Sequence, residues 1–283
     1  MTFKAMTLDV PLRSVEEEVT TFMNGLPCTG IDPFDRAFLY GDGFFTSILV
    51  REGRPLLWDH HLDRLTQGMR RLTLNAELAW IEAEVMRKSQ LLINGILKVI
   101  ISRGVGARGY LAPDQAAAIY IQLFPQRGAL TSLEKQPIKS GILQGHLGQT
   151  IPQLAGLKTL NRLEQVILRQ ELATHGWVEA LVCDVQGQIV EGVYSNCFFR
   201  VDGHWMTPPI TLSGIQGVMR AEVMARMDKH QFPLRLESIH RDSLFKIEAL
   251  FFCNALTGVV PASHLEDRLL DFEAVKSLTN LLF

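Results

Sequence analysis

Apolar and polar positions along this chain fall into two rhythms. Short apolar runs bounded by glycine, proline and charged turns predict strands at Thr46–Arg51, Ile96–Arg103 and Ala117–Phe124. Others are predicted at Ile138–His146, Ala180–Asp184, Ile189–Glu191, Ser195–Val201, Leu234–Ile239, Phe251–Cys253 and Gly258–Pro261. Glu52-Gly53-Arg54-Pro55 and Gln186-Gly187 read as the turns of two hairpins. The second rhythm is helical: Leu62, Leu65, Met69 and Leu72 recur three or four residues apart, behind Asp59 as a helix cap. Helices are also predicted over Ala79–Ile93, Leu160–Thr174, Gly217–Met227 and Phe272–Leu282. Pro125 to Pro137 carries glycine, serine and charge with little periodicity, which predicts an interdomain linker. It would divide a small N-terminal domain (1–124) from a larger β-rich one (138–283). Runs of strands with scattered helices favour an α+β fold over an alternating, doubly wound sheet.

The bulk numbers narrow the function classes. A chain of 283 residues, 47% hydrophobic, can bury a sizeable core. The net charge is −2 and there is no basic block, so binding to nucleic acid or a membrane surface has no electrostatic support. The opening twenty residues mix charges with short apolar runs and lack a signal-peptide core, and nowhere do about 18 apolar residues run together. Cys28, Cys183, Cys197 and Cys253 are widely spaced, as reduced, buried thiols of a cytoplasmic protein are. His60 and His61 are adjacent and point to different sides of a helix, and no other cluster has ligand spacing, so no metal is expected.

Several residues carry candidate chemistry. Gly104-Val-Gly-Ala-Arg-Gly109 fits a dinucleotide fingerprint, but Tyr110, Leu111, Ala112 and Pro113 follow where a helix must begin. It reads as a flexible loop whose chemically interesting member is Arg108. Lys158 lies in the apolar segment Leu154–Glu164, just before a helix. A half-buried lysine can lose its proton and form a Schiff base with a carbonyl. Glu191 follows after a helix and a hairpin, and a carboxylate can keep a heterocyclic nitrogen protonated. The pair suggests pyridoxal phosphate. Ser213-Gly-Ile-Gln-Gly217 opens a helix with small and polar residues, an arrangement suited to an anion. Arg64, on the polar side of its helix, could clamp a phosphate.

Six ordered blocks resemble the fold-type IV pyridoxal-phosphate enzymes, a family of branched-chain and D-amino-acid aminotransferases and aminodeoxychorismate lyases. They are Asp35–Phe45, His60–Leu65, the Lys158 segment, the Glu191 segment, Ser213–Arg220 and Cys253–Leu256. Ile96–Gly104, Arg108-Gly-Tyr110 and Leu157–Gln165 are similar to the lyase branch, where aminotransferases carry a different pattern.

That resemblance implies two domains, a small α/β sandwich and a larger pseudo-barrel, in a homodimer whose loops close each other's sites. It implies a lyase that converts 4-amino-4-deoxychorismate to p-aminobenzoate and pyruvate, toward folate. Lys158 would bind the cofactor aldehyde and then serve as base and acid. Glu191 would face the pyridine nitrogen, and Arg64 with Ile215, Gln216 and Ala255 would cradle the phosphate. Lys98, Arg108, Tyr40 and the hydroxyl of Ser47 would face the substrate; the lyase branch carries threonine at this last position. An aminotransferase of the same fold is the alternative activity, and a non-catalytic relative the alternative of another class.

Overall fold

The computed structural model describes residues 20–126 and 136–283. Residues 1–19, and most of the linker expected at 125–137, lie outside them. The first stretch contains β1 (Thr20–Met23), β2 (Leu26–Pro27), α1 (Arg36–Tyr40), β3 (Gly43–Arg51), β4 (Arg54–Pro55), α2 (Trp58–Arg71), α3 (Leu78–Leu92), β5 (Gly95–Ser102) and β6 (Ala118–Pro125). Its strands form an antiparallel sheet in the order β2-β1-β6-β5-β3-β4. Residue alternation gives that sheet two unlike faces. Phe44, Ile48 and Val50 of β3 join Leu97, Val99 and Ile101 of β5 in a core closed by Leu65 and Met69 of α2 and Ile81 and Val85 of α3. Phe45, Ser47 and Lys98 point the other way, with Ser47 and Lys98 opposite each other across the strand pair.

The second stretch begins with β7 (Ile138–Leu147), α4 (Leu163–Thr174), β8 (Glu179–Asp184), β9 (Ile189–Gly192), β10 (Asn196–Val201), β11 (His204–Thr207), α5 (Val218–Lys229) and β12 (Leu234–Leu236). A short 3₁₀ turn, β13 (Ile247–Asn254), β14 (Gly258–Leu265), β15 (Arg268–Leu269) and α6 (Phe272–Leu282) complete it. Among the described residues the strands run β12-β11-β10-β13-β14-β7-β8-β9, with β15 on β14. Strand β9 is at one edge, yet the chain passes from it to β10 in three residues, and Gly192 N–H donates to Ser195 O at 2.7 Å. The sheet must therefore curl on itself. Cys197, Phe199 and Val201 face its inside with Leu181, Leu250 and Phe252. Phe198 and Phe251 face outward under α5 and α6. The result is an α+β molecule with a six-stranded sheet and a second, curled one, and Lys158 lies on the segment between β7 and α4.

Three expectations are corrected. The first long helix is not capped by Asp59: it starts at Trp58 behind Leu57, which adopts φ 55° and makes no side-chain cap bond. Leu57 packs against the outer core of the curled sheet, so tertiary contact sets where the helix begins. The helix expected from Leu160 starts at Leu163, because Leu160 N–H donates to Gly43 O at 3.1 Å and Thr159 bridges Phe44. The loop at 104–109, expected to be flexible, is tied down by Arg36 and Tyr40.

Candidate active site

The segment bearing Lys158 is stretched between the two sheets and held at both ends. Arg71 of α2 donates to the carbonyls of Pro152, Gln153 and Ala155 at 2.8–3.1 Å. Phe45 N–H donates to Lys158 O at 3.0 Å, and Gln216 N–H to Gly156 O at 3.0 Å. The backbone of residue 158 is thus clamped by β3 on one side and by the turn before α5 on the other. Its side chain enters a cavity of about 170 Å³ lined by Phe45, Arg162, Glu191, Ser195, Ile215 and Asn254, among others.

Charges inside this cavity depart from their ordinary behaviour. Burial pulls the Lys158 amine down to about 8, with Arg64 and Arg162 pushing the same way. Glu191 is only 4% exposed and is pushed up to about 7 by burial, against the hydrogen bond from Ile215 and the charges of Lys158 and Arg162. Its Oε2 accepts from Ile215 N–H at 2.8 Å and from Asn196 Nδ2 at 3.3 Å. Asn196 Nδ2 also donates to Ile215 O at 2.8 Å, so one amide ties the carboxylate to the turn before α5. A second buried carboxylate, Glu179, is pushed up to about 7 by burial and accepts from Val193 N–H at 2.8 Å in the turn leading to Asn196.

Arg64 reaches across from α2 and donates through Nη2 to Gln216 O at 2.7 Å. Its Nη1 donates to Thr46 Oγ1 at 3.4 Å, and Thr46 Oγ1 lies 2.7 Å from His61 Nδ1. Burial lowers Arg64 to about 10 and, as the first of several causes, lowers His61 to about 3, leaving the imidazole neutral. No carboxylate pairs with Arg64 among the described residues. The other histidine of the pair, His60, bonds Glu222 of α5 at 2.9 Å.

The turn before α5 has to be glycine-rich. A Cβ on Gly217 would sit 1.8 Å from Asn196 Oδ1, and Gly214 has φ +84°. Helix α5 opens behind Gly217 without a side-chain cap. The backbone N–H groups of Ile215 and Gln216 are already engaged, by Glu191 and Gly156. What this turn offers an anion is therefore the uncapped start of α5 beside Arg64.

The other sequence-derived candidates divide. Lys98 comes to the site: its Nζ is 4.7 Å from the Phe45 ring centre, and Lys158 Nζ is 4.9 Å from that same ring. Lys98 is lowered by burial. Ser47 lies opposite it, and Ala255 follows the cavity residue Asn254. Arg108 and Tyr40 do not line this cavity; Arg108 is exposed, and Tyr40 accepts from Gly109 N–H at 3.1 Å. Sequence reasoning gave no role to Asn196, Phe45, Arg162 or Gln165. A polar Asn196 heading the apolar strand Cys197-Phe-Phe was the available signal. Arg162 and Gln165 line the cavity with one buried atom each, Nε and Oε1, lacking a hydrogen-bond partner.

Comparison with known proteins fits this geometry. Residues 43–265 match the family model described as amino-transferase class IV. An aminodeoxychorismate lyase from Vibrio harveyi is 29% identical over 248 residues, covering 86% of this chain and 90% of its own length. The crystal structure of 4-amino-4-deoxychorismate lyase from Pseudomonas aeruginosa aligns with a TM-score of 0.86 and 34% identity, over 93% of this chain and 97% of that one. The branched-chain-amino-acid aminotransferase of Escherichia coli K12 is 26% identical over 238 residues, covering 80% of this chain and 76% of its own length.

Proposed function

The chain belongs to the class IV amino-transferase family, and from that premise we propose that it splits 4-amino-4-deoxychorismate into p-aminobenzoate and pyruvate. The family depends on pyridoxal phosphate, and the residues present suit it. Arg64 is a partly buried cation with no carboxylate partner among the described residues, α5 opens uncapped beside it, and Arg162 and Gln165 leave polar atoms unpartnered at the cavity. The convergence of these groups with Lys158 and Glu191, drawn from both sheets, carries the proposal.

Lys158 would hold the cofactor aldehyde through Nζ, Glu191 would face the ring nitrogen, and Arg64 the phosphate. Ile215 and Gln216 support them, Ile215 N–H steadying Glu191 and Gln216 O steadying Arg64. Ala255 belongs to the same cradle. Pyridoxal phosphate, when bound, supplies a ring that takes up the electron pair left when the carbon next to the substrate nitrogen loses its proton. Lys158, with an amine near 8, is suited to take that proton and to donate one to the enolpyruvyl oxygen as it departs. Glu191, fixed by Ile215 and Asn196, would keep a proton at the ring nitrogen.

The substrate is a dicarboxylate. Lys98 offers a cation beside Lys158 with the Ser47 hydroxyl across the strand, and both serve to orient it. Arg108 and Tyr40 lie outside this cavity, while Tyr110 and Leu111 are 89% and 93% exposed. That supports a homodimer in which the loop of one copy meets the other's site. The domain boundary at 125–137 and a cytoplasmic setting complete the reading; no helix among the described residues is long and apolar enough to cross a membrane.

The visible spectrum separates this activity from transamination. The loaded enzyme is expected to keep its absorbance when given a single aliphatic amino acid. Lasting bleaching would instead favour an aminotransferase.

A further inference from the structure

Arg36 is 3% exposed, an unusual place for a guanidinium, and its side-chain hydrogen bonds all go to Asp42 and to the tip of the 104–111 loop. Its Nε donates to Asp42 Oδ2 at 2.8 Å. Its Nη1 and Nη2 donate to the carbonyls of Gly109 and Tyr110, at 2.8 and 3.3 Å. Asp42 is anchored in turn by Arg103, whose Nε donates to the same oxygen at 2.8 Å while its other nitrogens bind Leu72 O and Thr73 O. Burial pushes the Asp42 carboxyl up, but hydrogen bonds from Arg103 and Arg36 outweigh that and hold it below its ordinary value.

Tyr40 completes the buckle. The Arg36 guanidinium lies 4.8 Å from its ring centre, its hydroxyl accepts from Gly109 N–H at 3.1 Å, and Tyr110 meets it edge-on at 5.6 Å. The loop itself is built to accept this grip. Gly109 has φ +114°, and a Cβ on Gly106 would sit 2.9 Å from Arg36 Cδ. The tip buries almost nothing, since Tyr110 and Leu111 are largely exposed. The shape of the tip therefore depends on polar ties, which α1 supplies at Gly109 and Tyr110. The base of the loop is held instead by Gln115 Nε2, donating to Val105 O at 2.8 Å, and by Gly106 N–H, donating to Phe34 O at 3.3 Å.

We infer that Arg36, buckled to Asp42, is a positioning residue that holds the tip of the 104–111 loop in one shape and so sets the direction in which Arg108 is presented to the substrate in the partner copy's site. The inference rests on the homodimer proposed above and on the substrate-facing role that the family resemblance implies for Arg108. Arg36 touches no reacting atom.

The test compares native holoenzyme with Arg36→Ala, Arg36→Lys and Arg108→Ala. Trypsin cleavage at the Arg108–Gly109 bond, identified by fragment mass, reads the loop directly. In Arg36→Ala it is expected to run at least about tenfold faster than in the native protein. The same variant should raise KM about tenfold with kcat and cofactor absorbance nearly unchanged, and Arg36→Lys should recover part of both effects. Should Arg36→Ala fold poorly, Tyr40→Phe, which removes the acceptor of Gly109 N–H, should speed the same cleavage to a smaller extent. Unchanged cleavage in a folded Arg36→Ala, or a loss confined to kcat, overturns the inference. A loosened loop together with an unchanged KM in Arg108→Ala keeps the holding role and instead removes Arg108 from substrate binding.

Discussion

Thr46 occupies an inward position of β3, between Phe44 and Ile48, where alternation calls for an apolar side chain. Replacing it with valine keeps the shape and removes the hydroxyl. In the native protein Thr46 Oγ1 lies 2.7 Å from His61 Nδ1 and accepts from Arg64 Nη1 at 3.4 Å. His61 is fully buried, and its Nε2 already lacks a partner. After the substitution both ring nitrogens would be buried and unpartnered, a cost of about 1–3 kcal/mol. In this size range each kcal/mol moves the thermal midpoint by about 2–4 °C, so the variant should melt on the order of 2–12 °C lower. Arg64 loses one of its two anchors, so cofactor affinity should fall as well. Thermal melting of the unloaded protein and an absorbance titration with pyridoxal phosphate measure the two effects. Thr46→Ser should restore most of both. A cycle with His61→Phe checks the cause, because the double variant should lose less than the sum of the singles. Full additivity, or a Thr46→Val midpoint equal to native, refutes the coupling.

The remaining expectations concern the cavity itself. With its amine near 8, Lys158 of the unloaded protein should combine with pyridoxal phosphate at a rate that rises with pH around a midpoint near 8; a midpoint at the ordinary lysine value of 10.5 contradicts the burial argument. Glu191 is raised, so between about pH 4.5 and 7 the folded chain holds a proton the unfolded chain has released, and stability from this group falls as pH rises. Glu191→Gln should therefore gain on the native protein in urea unfolding between pH 5 and 8; a constant difference would mean no linkage. Gly217→Ala would force Asn196 from its place between Glu191 and Ile215, and cofactor affinity should drop by about tenfold, read by equilibrium titration.

Period-two and helical patterns located most of the larger elements, because each needs only local residues to declare which face is apolar. They do not declare what each face meets. Lys98 shares a strand face with Ile100 and Ser102, and only the tertiary arrangement turns that face toward Lys158 and Phe45. The Arg64–Gln216 bond spans 152 residues and joins α2 to the turn before α5, so no local window contains it. Thr46 and His61 looked unremarkable because a buried polar pair interrupts the apolar pattern by only one position on each element. Leu57 set a helix boundary through a contact with the far sheet, which no capping rule encodes. Lys158 and Glu191 were legible as chemistry but weak singly; their order along the chain, in a family resemblance, gave them weight. The strap from Arg36 to the 104–111 loop was hidden because its acceptors are backbone carbonyls, which carry no residue signature.

Under the proposed function, this chain eliminates pyruvate from 4-amino-4-deoxychorismate with Lys158 as the working amine. Loaded native protein and Lys158→Ala should be given that substrate, and p-aminobenzoate and pyruvate measured together. Equal amounts of both products are expected from the native protein and neither above background from the variant. Absence of both products with the loaded native protein, or undiminished turnover in Lys158→Ala, contradicts the proposal.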